Sequence, residues 1–502
     1  MFNLIQNELK KQENINVTEN GAIGYQTSNS ALLDLNYAVS SLRQSSEEEI
    51  ITLFDKAYNE NREYTLKWLF YSRDIREGLG ERRLFRICYR YLAEVDEEAF
   101  RANLFNITEY GRWDDMVSLI GLNDELDYTI LMVISTQLKI DLNNCDKGEP
   151  ISLLAKWLPS ENASSKDTKL LAKKIRKAIG FTPKEYRQIL SKLRKYLNVV
   201  EVRMCNNEWN EIDYEKVPSL ANLKYKNAFL RHDELRRKEY LDSVEKGNSK
   251  MNMKAATPVD IVSKYTMGRN GVKSHDETLE LAWKNLKNIQ VKDTMVVADG
   301  SGSMMVHVSG KTTALDVANA LAIYTSEHNS GVYKDKYITF SQNPQFVDLS
   351  VESTLKEKLM TSRRYAEIAN TNIEAVFRLI LNVAITNEIP ADEMISNILI
   401  ISDMEFDRAQ RGYWGNASVL TKPLFKVIED DYNEAGYQLP KLIFWNVNSR
   451  TKTIPLIENE LGVTLVSGFS QNVLQMVMSN KYDPFEVLRE TLDSGRYSQV
   501  KF

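Results

Sequence analysis

The stretch Thr294-Met295-Val296-Val297-Ala298-Asp299-Gly300-Ser301-Gly302-Ser303 decides the fold of the second half of the chain. Its first five residues predict a short strand buried on both faces. Residues 313–324, which follow, carry apolar side chains at helical spacing. The order is a strand, then an acidic turn with glycines, then a helix. This order places the turn at the carboxyl edge of an α/β sheet, where open sheets bind ligands. The oxygens of Asp299, Ser301 and Ser303 lie on one side of such a turn and suit Mg²⁺ or Mn²⁺.

Two later segments offer further oxygen ligands for the same site. Thr371 precedes a helical stretch and can project its hydroxyl from a loop, and Asp403 follows the apolar run 398–401, which predicts a second strand. In type and order, five residues resemble the metal-ion-dependent adhesion site of a von Willebrand factor A domain: Asp299, Ser301, Ser303, Thr371 and Asp403. The resemblance implies a bound Mg²⁺, with Mn²⁺ or Ca²⁺ as alternatives. Ordinary turns also contain such Asp-x-Ser-x-Ser strings, but the two later ligands favour the metal site.

Length and composition limit the class of protein. A chain of 502 residues exceeds one domain, and 43% hydrophobic with 26% charged residues is typical of a soluble globular protein. The 3 cysteines have no metal-ligand spacing and are odd in number, which argues against a disulfide framework. Because no apolar run reaches the length of a membrane span either, we expect a cytoplasmic protein without a membrane partner.

Charge is distributed unevenly along the chain. Residues 151–260 carry 23 basic and 14 acidic residues, a net of +9, so the remainder of the −5 chain carries −14. The richest part, residues 166–195, predicts two amphipathic helices with one cationic face each. Such a face is either simply solvated or a phosphate-binding surface, and the charge pattern leaves both open. The candidate nucleic-acid-binding residues are Lys169, Lys173, Lys174, Arg176, Lys177, Lys192, Arg194 and Lys195.

The spacing of apolar residues predicts two different modules. Up to about residue 244, successive amphipathic segments separated by glycines and prolines predict helices, and short turns between them favour a stacked helical-repeat array. From residue 291, strands and helices alternate, which is typical of a parallel, doubly wound sheet; residues 337–340 and 346–349 predict a hairpin at one edge. We therefore predict an all-α helical-repeat module, including a linker, over residues 1–288 and an α/β, Rossmann-like von Willebrand A domain over residues 289–502.

Several strings carry a resemblance that extends over nearly the whole chain. They include Thr18-Glu19-Asn20-Gly21-Ala22, residues 73–83, Tyr110-Gly111-Arg112-Trp113-Asp114-Asp115, residues 212–219, Trp445-Asn446-Val447 and residues 466–470. Together they resemble a family of plants, large viruses, bacteria and phages that is described as a domain of unknown function. That family is similar in plan to the TROVE-domain proteins, the Ro ribonucleoproteins, which join a ring of HEAT-like repeats to a von Willebrand A domain. This likeness implies binding of small structured RNAs, for which the cationic helices are the expected surface.

Other readings of the sequence are weaker. Residues 73–83 place four arginines around two glycines, which fits either a phosphate grip or a self-neutralising helix joint, and the acids in the stretch favour the joint. No general base accompanies the metal ligands, since His307 is isolated, so we expect a non-enzymatic protein. Our first hypothesis is a monomeric, RNA-binding, Ro-like scaffold with a metal site. The second is a protein-interaction module in which the metal holds an acidic residue of a partner, and metal-assisted phosphoryl chemistry ranks third.

Overall fold

The computed structural model describes residues 13–266, 271–365, 369–408, 422–477 and 481–502. Its contacts divide the chain into two compact units. The α/β unit consists of the described residues up to Thr65 together with Met253–Ser498, and the helical unit consists of Leu66–Asn252 together with Gln499–Phe502. The helix Arg62–Arg73 contains the first point of division.

The α/β unit is built on a six-stranded sheet. In chain order, the strands of this unit are β1 (Asn16–Val17), β2 (Ile23–Gly24), β3 (Thr294–Asp299), β4 (His307–Ser309), β5 (Thr312–Thr313), β6 (Lys336–Phe340), β7 (Gln345–Asp348), β8 (Asn397–Ser402), β9 (Lys441–Asn446) and β10 (Val463–Ser467). The large sheet has the order β10-β9-β8-β3-β6-β7, while β1–β2 and β4–β5 form small antiparallel pairs. Neighbours in the large sheet are parallel except β6 and β7. The predicted strands and the antiparallel edge are confirmed.

The α/β unit also contains helices, both in its N-terminal part and between the strands of the large sheet. The helices of the α/β unit are Ala31–Tyr37, Val39–Leu42, Glu47–Glu60, Pro258–Tyr265, Glu277–Lys284, Ala314–Glu327, Leu355–Arg364, Glu374–Thr386, Leu424–Glu434, Leu474–Val477 and Pro484–Leu492. Ala314–Glu327 is buried along almost its whole length and packs against β3. Thr313 caps its first turn, accepting a hydrogen bond from the amide of Asp316 at 3.1 Å. The capped helix follows the turn after β3, as the sequence predicts, with the small β4–β5 pair between them.

The helical unit contains a succession of helices from Arg62–Arg73 onward. The others are Arg82–Val95, Glu97–Ala102, Asn106–Tyr110, Trp113–Val117, Asp124–Lys147, Leu154–Trp157, Lys166–Ala178, Pro183–Tyr196, Val200–Cys205, Ser219–His232 and Glu234–Glu245. The apolar spacing of residues 97–110 predicts one helix, but the structure has two, Glu97–Ala102 and Asn106–Tyr110, with the break at Asn103. The Asn103 side chain donates to the carbonyl of Ala99 at 2.9 Å, competing with the helical ladder. Within the described ranges, every helix is too short or too polar to cross a membrane.

Arg73, the first residue of the arginine-rich stretch 73–83, is neutralised by an acid outside that stretch. Arg73 is buried and its guanidinium contacts the Asp115 carboxylate at 2.7 Å, and Arg86 contacts the other oxygen of Asp115 at 2.7 Å. Gly111 lies against the same carboxylate, because a Cβ there would approach Asp115 Oδ2 to 2.7 Å and the carbonyl of Ile107 to 2.9 Å. This geometry supports a structural role for Arg73, with Asp115 rather than an acid of the stretch as its partner.

The compact units follow a different division from the boundary predicted after residue 288. The N-terminal helices belong to the α/β unit, where they are bonded to the carboxyl edge of the sheet. The Asn446 side chain at the end of β9 donates to the carbonyl of Tyr37 at 2.8 Å. The amide of Ser40 donates to the Ser467 hydroxyl at the end of β10 at 2.9 Å. Helical pattern alone contains no information about which surface a helix covers, so it does not show that these N-terminal residues contact the sheet.

Candidate metal centre

The predicted ligands lie at the carboxyl ends of adjacent strands. Asp299 is the last residue of β3, and Asp403 directly follows β8. Since β3 and β8 are parallel neighbours, pairing Ala298 with Ile401, their ends meet at one edge of the sheet. Ser301 and Ser303 lie in the turn after β3, where Gly302–Met305 form a single 3₁₀ turn. Thr371 precedes the helix Glu374–Thr386.

Hydrogen bonds connect four of the predicted ligands, Asp299, Ser301, Ser303 and Asp403, in one cluster. Asp299 accepts from the amide of Ser301 at 2.9 Å and, through its other oxygen, from the hydroxyl of Ser402 at 2.6 Å. The hydroxyl oxygens of Ser301 and Ser303 are 3.0 Å apart. Ser303 also hydrogen-bonds the Asp403 carboxylate, which connects the turn to the end of β8.

The two carboxylates of the cluster are withdrawn from water. Asp299 is 1% exposed and Asp403 is fully buried. Burial, together with the negative charge of Asp403, raises the pKa of Asp299 to about 7. Burial also raises the pKa of Asp403, an effect that the Arg450 guanidinium opposes. Two buried carboxylates side by side are unfavourable without positive charge between or beside them.

Two groups near Asp403 were not identified from the sequence. Arg450, in the segment after β9, donates to Asp403 at 3.0 Å and to Glu19 at 2.5 Å. Glu405 is buried and accepts from the amides of Glu19 at 2.7 Å, Arg450 at 2.6 Å and Thr451 at 2.9 Å. Glu405 thereby fastens the segment after β8 to both the N-terminal segment and the segment after β9.

Thr371 is held from two sides. Its carbonyl accepts from the amide of Asp407 at 2.9 Å, and its hydroxyl oxygen accepts from the side-chain amide of Asn20 at 3.3 Å. Asn20 belongs to the string Thr18-Glu19-Asn20-Gly21-Ala22, which marks the family resemblance. That string is the only sequence signal that could have pointed to Asn20, and it contains nothing that ties it to the metal ligands.

The donor set fits a hard divalent cation. Two carboxylates and three hydroxyls offer only oxygen, the ligand type that Mg²⁺, Mn²⁺ and Ca²⁺ share. The buried pair Asp299 and Asp403 lacks a full complement of positive charge, because Arg450 contacts one of them and is itself shared with Glu19. Among the described residues, this site included, no group of three or more His, Cys, Asp and Glu side chains is placed to hold a metal ion.

The eight candidate nucleic-acid-binding residues separate into two groups. Four of them are engaged within the helical unit: Arg194 donates to the carbonyls of Ala155 at 2.8 Å and Leu158 at 2.7 Å, and Arg176 pairs with Glu161 at 2.8 Å. Lys174 pairs with Asp127, and Lys192 pairs with Asp146.

The other four have no ion pair with any residue that the structure describes: Lys169, Lys173, Lys177 and Lys195. Lys169, Lys173 and Lys177 recur every fourth residue on the helix Lys166–Ala178 and therefore share one face. Lys173, Lys177 and Lys195 are exposed, and Lys169 is half-buried. The available cationic surface is thus about half of the predicted one.

Known protein families match both parts of the chain. A domain of unknown function, DUF2828, matches residues 18–131 and 125–298, and another, DUF7788, matches residues 293–496. An uncharacterized protein, L728, of Acanthamoeba polyphaga mimivirus is 31% identical over 521 residues, covering 96% of this chain and 87% of the relative.

Among solved structures, the crystal structure of the Deinococcus radiodurans Ro (RSR) protein matches with a TM-score of 0.35 and 13% identity, covering 90% of this chain and 92% of the other. The family models and the mimivirus relative extend over both the helical residues and the α/β residues that carry the cluster. This chain therefore belongs to the protein family whose members combine the domains of unknown function DUF2828 and DUF7788.

Proposed function

We propose that this protein is a non-enzymatic binding protein that holds a divalent cation in its α/β unit and uses it to capture an acidic group of a partner protein. The observation that carries the proposal is the convergence of four oxygen-bearing side chains, Asp299, Ser301, Ser303 and Asp403, at the carboxyl edge of one sheet. Mg²⁺ is the ion that this donor set fits best, with Mn²⁺ and Ca²⁺ as alternatives.

The chain's own residues would hold the cation and leave it able to take a ligand. Asp299 and Asp403 supply two negative charges, and Ser301, Ser303 and Thr371 supply neutral oxygens. When bound, a divalent cation here supplies positive charge that attracts a carboxylate. Arg450 already contacts Asp403 at 3.0 Å, so the protein carries part of the neutralising charge itself.

The same features support a finer assignment of the fold. Parallel strands with one antiparallel edge, helices around them and a ligand cluster at the carboxyl edge are the plan of a von Willebrand A domain. We include in the proposal that the α/β unit is such a domain and that the helical unit is a HEAT-like array. Both rest on pattern and topology rather than on sequence motifs alone.

A binding role is favoured over a catalytic one by the neighbours of the cluster. Among the described residues, the ionisable side chain that hydrogen-bonds the five proposed ligands, apart from the two Asp ligands themselves, is Arg450; Glu405 contacts Asp403 through its backbone amide. A general base for phosphoryl transfer is expected within hydrogen-bond reach of the reacting atoms. Metal-dependent turnover of a phosphoester that is lost in Asp299→Ala would contradict the non-enzymatic proposal.

RNA binding by the helical unit is a second candidate. The observation that favours it is the shared, exposed face of Lys173 and Lys177 with Lys169 on the same helix, together with Lys195. Unpaired lysines on one face attract phosphates and release counterions. The predicted partner is a small structured RNA.

One experiment separates the two candidates. Full-length protein is purified at low salt, and its associated nucleic acid and its Mg²⁺-dependent gain in thermal stability are measured. Asp299→Ala is compared with Asp348→Ala, which removes an exposed acid on β7. If Mg²⁺ stabilises the wild type and Asp348→Ala but not Asp299→Ala, the metal proposal is supported. Discrete RNAs released by salt, and lost when Lys173, Lys177 and Lys195 are changed to Glu, would favour the second candidate. No response to any divalent cation would contradict the first.

A further inference from the structure

A segment near the N-terminus runs along the metal-ligand segments of the α/β unit. The Thr18 hydroxyl donates to the carbonyl of Phe406 at 2.7 Å, and the amide of Ala22 donates to the same carbonyl at 3.3 Å. Gly21 forms an isolated antiparallel bridge with Asp407. Residues 18–22 thus add a short strand-like edge to residues 405–407, which begin two residues after Asp403.

Within this segment, Asn20 reaches a predicted metal ligand. Its side-chain amide nitrogen donates to the backbone carbonyl of Glu405 at 2.6 Å and to the hydroxyl oxygen of Thr371 at 3.3 Å. Asn20 thereby bridges the loop that carries Thr371 and the segment that follows Asp403. More than 350 positions of sequence separate Asn20 from Thr371, so only the folded chain brings them together.

We propose that Asn20 is a positioning residue of the cation site, acting through the hydroxyl of Thr371, and that residues 18–22 are an integral part of the site. This inference rests on the proposed function. The amide of Asn20 can only donate at that nitrogen, so Thr371 must accept there. The threonine oxygen keeps its second lone pair and its proton for other partners, and the contact with Asn20 favours one orientation of the hydroxyl.

The effect of such a contact is known for metal sites in general. Groups that orient the ligands, without touching the ion, set affinity by about 10- to 100-fold. Asn20 is itself exposed, whereas Thr371 is 1% exposed. Removing the Asn20 amide therefore leaves the core unchanged and leaves Thr371 without this partner.

The matched control is Asn16, four residues earlier in the same segment. Its side-chain amide donates to the carbonyl of Thr451 at 3.2 Å, a bond of the same kind to a neighbouring segment that includes no metal ligand. A merely structural contribution of the segment predicts that Asn16→Ala and Asn20→Ala behave alike. A positioning role predicts that they differ in cation affinity and not in thermal stability.

The test is a titration of the metal-free protein with Mn²⁺. Binding is monitored by calorimetry or by electron paramagnetic resonance of the free ion, and melting temperatures are measured in parallel. We expect Asn20→Ala to weaken Mn²⁺ binding about 10- to 100-fold, while Asn16→Ala stays within about twofold and both variants melt alike without metal. Wild-type affinity in Asn20→Ala, with binding abolished in Asp299→Ala, would overturn the role of Asn20 and leave the metal site standing. Absence of Mn²⁺ binding in the wild type would overturn both.

Discussion

Replacing Asp299 by Asn tests the electrostatics of the site without changing its shape. Asparagine can keep both observed contacts, because its oxygen accepts from the amide of Ser301 and its nitrogen can donate to the hydroxyl of Ser402. What it removes is one of two buried negative charges. We expect metal-free Asp299→Asn to be more stable than the metal-free wild type at pH 8, and to lose all stabilisation by Mg²⁺.

The expected change in the free energy of unfolding follows from the pKa of Asp299 in the folded protein. Its ordinary value of 3.8 is raised to about 7, chiefly by burial and then by the charge of Asp403. Because the folded-state pKa is the higher one, the folded protein binds this proton more tightly, and the free energy of unfolding falls as pH rises from about 4 to about 7. At about 1.4 kcal/mol per pH unit, the loss reaches about 4 kcal/mol above pH 7.

The assay is unfolding by urea in the presence of a chelator at pH 5 and pH 8, repeated with Mg²⁺. For the wild type without metal we expect lower stability at pH 8, restored by saturating Mg²⁺; an ion at 100 times its dissociation constant contributes about 2.7 kcal/mol. Asp299→Asn should show a smaller dependence on pH and none on Mg²⁺. Asp348→Ala should behave as the wild type. If metal-free Asp299→Asn is less stable than the metal-free wild type at pH 8, repulsion between the two buried carboxylates does not destabilise the metal-free protein.

Three further changes test other parts of the structure. Arg450→Gln removes positive charge 3.0 Å from Asp403, and should tighten Mn²⁺ binding about tenfold by calorimetry, since a competing cation is gone; weaker binding would mean that Arg450 supports the site instead. Gly111→Ala places a Cβ 2.7 Å from Asp115 Oδ2 and should lower the free energy of unfolding by about 1–3 kcal/mol in urea titrations, whereas an unchanged value would contradict the close packing described. A triple variant that replaces three exposed lysines by glutamate should keep its melting temperature and lose RNA binding in a filter-binding assay. Unchanged RNA binding would show that this face is not the RNA interface. Its changes are Lys173→Glu, Lys177→Glu and Lys195→Glu.

The sequence predicts those features that depend on residues close together in the chain. The strands around Asp299 and Asp403 are apolar runs that end in an acid, and each is long enough to be recognised by itself. Parallel strands in one sheet then bring the two carboxyl ends to the same edge, so the cluster follows from local pattern and a general rule of topology.

Features that depend on distant pairing are not visible in the same way. Nothing in Thr18-Glu19-Asn20-Gly21-Ala22 states that it will pair with residues 405–407, because strand-like edges pair through backbone groups that every residue has. The charge pattern likewise shows the lysines of the helix Lys166–Ala178, but it does not show which of them face an acidic residue. Lys174 and Lys173 are neighbours in sequence, yet only Lys174 faces Asp127.

The division into units illustrates the same limit. The spacing of apolar residues changes from helical to alternating strand and helix near residue 290, which predicts a boundary there. The two family models also meet at residues 293–298. The compact α/β unit nevertheless includes the N-terminal helices, because Ser40 and Tyr37 supply partners for polar groups at the ends of β9 and β10. Buried polar groups require such partners, and the sequence does not show which segment provides them.

The most direct test of the proposed cation site is a crystal structure of the protein grown with Mn²⁺, measured at a wavelength where manganese scatters anomalously. We expect one strong anomalous peak enclosed by the side chains of Asp299, Ser301, Ser303, Thr371 and Asp403, and no such peak in crystals of Asp299→Ala. An empty cluster in which Arg450 alone neutralises the two carboxylates, at Mn²⁺ concentrations that saturate binding in solution, would contradict it.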